Sequence, residues 1–213
     1  MSIPYKQKRN YENLQKAVYK GVGLYNIPQL RPVIADRINW IGFNYAKSCV
    51  DPANTGVHFF IDDYQFTRLW THPDKYIDML RKFDMVCTPD FSTYTDFPMA
   101  VQIYNHYRKH WLGAYWQDHG MTVIPTISWG NHDSYKWCFA GEPVGGCVAV
   151  SSVGTQINSD ASALFLDGYT EMIKRLRPVR IFLHGSAPQE CYEFGVDVAN
   201  IDAYYQKWRM END

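Results

Sequence analysis

The sequence predicts one α/β domain over 1–213 with mainly parallel strands, arranged as a compact or incomplete (β/α) barrel. Short apolar runs rich in β-branched residues alternate with amphipathic segments, which is typical of repeated βα units around a parallel sheet. The runs are apolar at nearly every position, as in strands covered on both faces. The chain has 213 residues, a length that suits a single domain. An open doubly wound sheet is the alternative.

Six apolar runs are the predicted strands, and a polar or turn-forming residue follows each of them. The runs are 40–43, 57–61, 85–88, 122–127, 148–150 and 181–183. Pro125 weakens the fourth run as a strand, because proline has no N–H to donate to a ladder. The segment before the first run, 1–36, is predicted to be an N-terminal helical or loop extension.

Three segments between the runs have apolar residues at helical spacing, so that each forms one apolar face. The faces consist of Ile77, Leu80 and Phe83; of Ile103, Tyr107, Trp111 and Ala114; and of Phe165, Tyr169, Met172, Ile173 and Leu176. Pro73 is placed for the first turn of the first helix. Pro178 ends the third helix, and Lys174 and Arg175 in its last turn complement the helix dipole.

Composition excludes several functional classes. The net charge is −1, which argues against binding to extended duplex nucleic acid, because that affinity comes from many Lys and Arg contacts. No apolar run reaches the about 18 residues that a membrane span needs, and residues 1–6 do not begin a secretory signal.

The five cysteines form no Cys-x-x-Cys pair, so we interpret them as reduced thiols of a cytoplasmic protein. An oligomeric state does not follow from the sequence.

Polar side chains follow nearly every predicted strand. They are Asn44, Asp62, Asp63, Asp90, Ser92, Trp129, Asn131, Ser151, Ser152 and His184. Parallel α/β folds bind ligands at the carboxyl ends of their strands, so this set predicts a site. The alternative is local, because Asp, Asn and Ser also begin turns and cap helices.

Within this set we predict three catalytic residues, Asp62, Asp90 and His184. Two carboxylates in different environments suit general acid–base chemistry, because one stays ionised while the pKa of the other rises. The predicted ligand-binding residues are Asn44, Asp63, Ser92, Trp129, Asn131, His132 and Ser151. No cofactor is predicted and no residue is assigned as a metal ligand, although carboxylates at these positions could hold a divalent metal such as Mg²⁺.

His106 and His110 are four residues apart on the second predicted helix, the spacing of paired zinc ligands. The intervening residues lack the glutamate of the zincin motif. His110 also falls on the apolar face with Ile103 and Tyr107. We therefore interpret the two histidines as hydrogen-bonded core residues.

The long connection 130–146 is rich in aromatic residues, among them Tyr135, Trp137 and Phe139. Such connections often form lids or binding loops, and these rings could stack on a sugar or nucleobase. The alternative is a short helix packed back on the domain. The glycines at 141–146 match neither a P-loop nor a dinucleotide-binding fingerprint.

Four segments of the chain are similar to one family. They are 60–66 (FIDDYQF), 88–94 (TPDFSTY), 102–108 (QIYNHYR) and 123–129 (VIPTISW), with Gly154 and Gly185 extending the likeness. These residues resemble the domain-of-unknown-function family 4417 of bacterial and phage proteins. The resemblance implies a phage or mobile-element setting, and it supplies neither an activity nor a catalytic residue.

Three functional hypotheses follow. The first is a small hydrolase that acts on a nucleotide- or sugar-like ligand through carboxylates at the strand ends. The second is a non-catalytic protein that sequesters a small nucleotide in the same pocket. The third is an interaction protein that docks a partner through exposed aromatic residues.

Overall fold

The computed structural model describes residues 11–202, which form a mixed α/β architecture. The strands are β1 (Gly21–Val22), β2 (Ile27–Pro28), β3 (Asn39–Gly42), β4 (Thr55–His58), β5 (Met85–Cys87), β6 (Val123–Ile124), β7 (Cys147–Ser151), β8 (Arg180–His184) and β9 (Asp197–Ile201). The α-helices are α1 (Arg68–Thr71), α2 (Ile77–Leu80), α3 (Met99–Asp118) and α4 (Ser159–Leu176). Short 3-10 helices span Phe43–Ser48, Pro52–Asn54, Asp63–Gln65, Pro73–Tyr76, His132–Lys136 and Gln189–Tyr192.

Seven of the strands belong to two parallel sheets, in the order β3-β4-β5-β6 and β7-β8-β9. A parallel bridge between Thr126 and Ala149 links the end of one sheet to the start of the other. Ala149 N–H donates to Pro125 O at 2.8 Å, and Ile127 N–H donates to Ala149 O at 2.8 Å. Pro125 is tolerated here because its carbonyl still accepts. The predicted α/β class with parallel strands is confirmed.

The described strands do not close a barrel, because no ladder joins β9 to β3 within residues 11–202. In each sheet the spatial order of the strands follows the chain order. A doubly wound sheet has a point where that order reverses, and neither sheet has one.

The core divides into two hydrophobic clusters that share strands β7 and β8. Ala149 and Phe182 face the larger cluster with β4, β5, β6 and α3. Val148 and Ile181, the preceding residue on each strand, face the smaller cluster, which contains the apolar face of α4. Successive side chains on a strand point to opposite faces, so both faces of β7 and β8 are buried, as their continuous apolar sequence predicts.

The N-terminal segment packs onto the domain. Residues 1–10 of the predicted extension lie outside the described residues, and the antiparallel β1–β2 pair occupies part of the remainder. Leu30 N–H donates to Gly141 O at 2.9 Å, and Cys147 N–H donates to Val33 O at 2.7 Å. These bonds tie the segment to Gly141, before β7, and to Cys147, the first residue of β7.

Three local features differ from the sequence prediction. β4 ends at His58, three residues earlier than predicted, and the first helical segment is a 3-10 turn followed by the four-residue α2. β9 was not predicted. It is the outer strand of its sheet and mixes Asp197 and Asn200 with apolar residues, so it lacks the apolar run of a strand buried on both faces. None of the helices among the described residues has the length and apolarity needed to cross a membrane.

Candidate functional site

A cleft of about 470 Å³ opens where the two sheets meet, at the carboxyl ends of β5, β6 and β7. Its lining residues come from the segments 90–95, 127–130 and 150–155 and from the first half of α4. They are Asp90, Ser92, Thr93, Tyr94, Thr95, Ile127, Ser128, Trp129, Gly130, Val150, Ser151, Val153, Gly154, Thr155, Ala161, Leu164 and Phe165. Four residues of the predicted site, Asp90, Ser92, Trp129 and Ser151, therefore line one cavity.

Asp90 is the acidic residue of the cleft. It follows β5 and is half-buried. Burial raises the pKa of Asp90 to about 7; the Lys109 ammonium opposes this rise and the Asp63 carboxylate adds to it. At neutral pH both protonation states of the carboxyl are populated, which is the condition for exchanging a proton with a bound ligand.

The Asp63 carboxylate contributes to the raised pKa of Asp90, whereas Asp62 is exposed. The Asp63 carboxylate accepts hydrogen bonds from Ser92 Oγ at 2.9 Å and from Ser92 N–H at 3.1 Å. The 3-10 helix that starts at Asp63 turns its side chain toward the loop after β5. The sequence identified the doublet but assigned the catalytic role to Asp62.

Buried polar side chains of helix α3 donate hydrogen bonds to the loops around the cleft. Asn105 Nδ2 donates to Ser92 O at 2.6 Å, and Lys109 Nζ donates to Thr126 O at 2.6 Å. Gln102 Nε2 donates to Phe97 O at 2.8 Å. Buried polar groups need partners, and here loop carbonyls supply them. Asn105 and Lys109 were not identified from the sequence, because their helical spacing marks them as ordinary polar positions.

The Trp129 indole packs against α4 at Gly168, where any larger residue would fill the space that the indole occupies. A Cβ at Gly168 would lie 2.1 Å from Trp129 Nε1, so the indole occupies the space of the missing side chain. The Trp129 and Phe165 ring centroids are 5.5 Å apart. The flat aromatic surface of the cleft is therefore fixed by packing against α4.

Ser151 connects the cleft to a buried group of rings. Its Oγ is 3.1 Å from His184 Nδ1. The His184 ring stacks on Phe60 at 4.7 Å and lies 5.3 Å from His58. Burial lowers the pKa of His184 to about 4, so the ring is neutral at pH 7. His184 is not among the residues that line the cleft, and it reaches the cleft through the Ser151 hydroxyl.

Three other predicted site residues lie outside the cleft lining. Asn44 is exposed in the 3-10 helix after β3. Asn131 caps the 3-10 helix His132–Lys136, its Oδ1 accepting from Asp133 N–H at 3.1 Å. His132 is exposed, with Nε2 3.3 Å from Asp167 Oδ2. Of the three, Asn131 has the capping role that such side chains often have at the start of a helix.

The aromatic residues of the connection 130–146 pack inward. Trp137 and Phe139 are buried in the smaller core cluster, with Tyr135 packed against it. The interpretation of these rings as a stacking lid is therefore wrong, and the alternative of a short helix packed on the domain describes the segment.

A buried charged cluster, formed by His106, Lys109, His110 and Glu142, lies between α3 and the end of that connection. His110 Nε2 is 2.8 Å from Glu142 Oε1, and Lys109 Nζ is 3.2 Å from the same oxygen. Both histidines are buried and hydrogen-bonded, as the sequence predicted. Glu142 had not been identified, because its partners lie more than 30 positions away in the sequence.

Comparisons with known proteins relate the chain to phages. The family model described as "Domain of unknown function (DUF4417)" matches residues 19–202. The Gene 1 protein of Mycobacterium phage L5 is 34% identical over 195 residues, covering 91% of this chain and 84% of that protein. The Gene 1 protein of Mycobacterium phage D29 is 37% identical over 190 residues, covering 88% and 70%. No solved structure matches the chain.

Proposed function

This chain belongs to the DUF4417 family of phage-associated proteins, and from the residues of its cleft we propose that it is a small hydrolase. Its nucleotide- or sugar-like ligand binds in the cleft and is cleaved by water. Asp90 acts as the general acid that protonates the leaving group or as the general base that accepts a proton from the attacking water. The carrying observation is the position of Asp90, a half-buried carboxyl that lines the cleft beside a second carboxylate. The revised carboxyl pair is Asp90 with Asp63.

The charge of the cleft narrows the ligand class. No arginine, lysine or histidine is among the described residues that line it, so no cationic side chain pairs with a phosphate. Several hydroxyl groups and the Trp129 ring do line it. Hydroxyls hydrogen-bond to a polyol, and an aromatic face stacks on a sugar or base. The proposed ligand is therefore uncharged, a nucleoside or a sugar with a glycosidic bond.

The test compares Asp90→Asn with Asp62→Asn, two carboxylates of the same strand-end region. Release of p-nitrophenol from p-nitrophenyl glycosides and of free base from nucleosides is measured. We expect Asp90→Asn to lower turnover at least about 100-fold, the usual contribution of general acid–base catalysis. Asp62→Asn should leave it within about twofold. No turnover by the wild type across this panel, or equal turnover by Asp90→Asn, would contradict the hydrolase.

Stability should also depend on pH through Asp90. Its pKa is raised from 3.8 to about 7 in the folded protein, so this group favours folding below pH 4 and loses that contribution as pH rises through 7. Replacement by Asn removes the cost of burying a charge. We expect Asp90→Asn to be the more stable protein at pH 8, by up to about 4 kcal/mol, and to gain nothing at pH 4. Urea unfolding at the two pH values measures the difference.

A second candidate is the non-catalytic binding protein. The observation in its favour is that Asp90 is the one carboxylate among the described lining residues. A ligand released from the purified protein by heat and identified by mass spectrometry as chemically unchanged would support sequestration. Turnover of that same compound would support the hydrolase.

Two broader proposals accompany the function. We propose that the sheets form an incomplete barrel, since Trp40 on β3 and Phe182 on β8 belong to different sheets and their ring centroids are 4.9 Å apart. We also propose a cytoplasmic location, because all five cysteines are free thiols and disulfides are rare in that compartment.

A further inference from the structure

We propose that His106, His110 and Glu142 bind one divalent transition-metal ion, with zinc as the ion that these donors fit. The proposal is independent of the cleft and of the hydrolase. His110 follows His106 by one helical turn on α3, and Glu142 comes from the segment before β7. The carboxylate that a zinc-binding histidine pair needs is thus supplied by a distant part of the chain.

The three side chains are already gathered. One donor atom from each lies within 4.8 Å of the others, and all three residues are buried. His110 Nε2 and Glu142 Oε1 are 2.8 Å apart, and the two imidazole centroids are 4.3 Å apart. Two imidazoles and a carboxylate form a known zinc donor set in which a water molecule takes the fourth position.

An unpartnered oxygen points independently to a ligand. Glu142 Oε2 is buried and has no hydrogen-bond partner, while Oε1 contacts both His110 and Lys109. A buried carboxylate oxygen without a partner is costly. A metal ion bound to Oε2 removes that cost, and Lys109 can remain on Oε1.

The outer contacts of the histidines also suit metal binding. His110 Nδ1 is 2.8 Å from Pro28 O, and His106 Nε2 is 2.9 Å from Ala140 O. Metal-bound histidines usually donate the second ring N–H to a carbonyl or carboxylate, which fixes the tautomer and the ring. Each imidazole has such a carbonyl and retains its other nitrogen for the ion. His110 Nε2 must then release any proton that it shares with Glu142.

The ion would tie α3 to the segment before β7. An ion that binds only the folded chain stabilises it in proportion to its concentration and affinity. The expected consequence is one zinc ion per chain and a higher unfolding temperature when zinc is added to metal-free protein.

The experiment uses the full chain, stripped with a chelator and titrated with Zn²⁺ and, separately, with Co²⁺. Calorimetry gives the stoichiometry, and the visible Co²⁺ spectrum reports a tetrahedral nitrogen and oxygen site. The variants are His106→Asn, His110→Asn and Glu142→Gln. The controls are His119→Asn, directly after the same helix, and His132→Asn on the surface. We expect one site in the wild type and in both controls, with binding more than about 100-fold weaker in the three variants.

Two results would overturn the proposal. The first is a wild-type chain that binds no zinc at one equivalent, which needs no variant and so does not depend on their folding. The second is binding that persists in the folded variants or disappears in His119→Asn or His132→Asn, because the ion would then sit elsewhere. Neither result bears on the hydrolase, whose test depends on Asp90.

Discussion

Helices α3 and α4 have similar lengths, 20 and 18 residues, but α3 buries many polar side chains beside its apolar ones, whereas α4 buries a mainly apolar face. The described residues that α4 buries are Phe165, Gly168, Tyr169, Met172 and Leu176. Those of α3 include six polar or charged residues, Gln102, Asn105, His106, Lys109, His110 and Gln117. The α4 face packs on the outside of β7 and β8. The polar groups of α3 bond to backbone and side-chain groups of the surrounding loops.

The difference teaches how this fold positions its site. Apolar packing is non-directional, so α4 stabilises the sheet and supplies a surface for Trp129. Hydrogen bonds are directional, so α3 fixes the loops at residues 92, 97, 126 and 140 relative to one another. The four predictions below separate these two roles: two of them remove hydrogen bonds made by α3, and two change the packing of α4.

The largest effect is expected for Lys109→Met. The change removes the donor to Thr126 O and the ammonium group that pairs with the buried Glu142 carboxylate. Breaking a buried ion pair by removing one partner costs about 3–5 kcal/mol, which urea unfolding measures. The control is Lys136→Met, whose exposed pair with Asp133 should leave the free energy of unfolding nearly unchanged. Similar losses of unfolding free energy in the two variants would contradict a special contribution of the buried Lys109–Glu142 pair.

A comparable loss of stability, but no change at the cleft, is expected for Met172→Ala in α4. Met172 is completely buried, and truncation of such a side chain costs about 2–5 kcal/mol. Because Met172 does not line the cleft, the titration of the Asp90 carboxyl, followed by ¹³C NMR, should keep its midpoint. A shifted midpoint would show that apolar packing in α4 also determines the electrostatics of the site.

Asn105→Ala should have a smaller but localised effect. Ser92 O would lose its bond from Asn105 Nδ2, at a cost of about 1–3 kcal/mol. Hydrogen exchange should become faster at residues 92–95, since the loop would lose its anchor. The matched control is Gln117→Ala, which removes bonds to Arg31 at the other end of the helix. Unchanged exchange at residues 92–95 would refute the anchoring role of Asn105.

The smallest net effect on stability is expected for Gly168→Ala. The new Cβ meets the Trp129 indole, and overpacking costs about 1–3 kcal/mol. The better helix propensity of alanine returns up to about 1 kcal/mol. The Trp129 indole N–H signal in the NMR spectrum should shift. Combining Gly168→Ala with Trp129→Phe should recover most of the lost stability. If the stability losses of the two single variants simply add in the double variant, the two positions do not interact.

Much of the architecture was readable from local pattern. The apolar runs located six parallel strands, and the faces at 103–114 and 165–176 located α3 and α4, because burial on a periodic element leaves a periodic sequence. The strand-end rule brought Asp90, Ser92, Trp129 and Ser151 to one cleft. The rule assigned the catalytic role to Asp62 and a ligand-binding role to Asp63, whereas Asp63 is the one that hydrogen-bonds to Ser92, since a one-residue change of local geometry turns a side chain to the other face.

By itself the sequence determined the α/β class, the parallel strands, the family and the edge of the sheets where the polar residues gather. These properties depend on periodicity and on residue type, which are local. The tertiary structure alone decided that Glu142 meets His106 and His110, that α3 anchors the loops, and that Gly168 makes room for Trp129. Most of these contacts join residues far apart in the chain, and their distances are set by how the helices pack on the sheets.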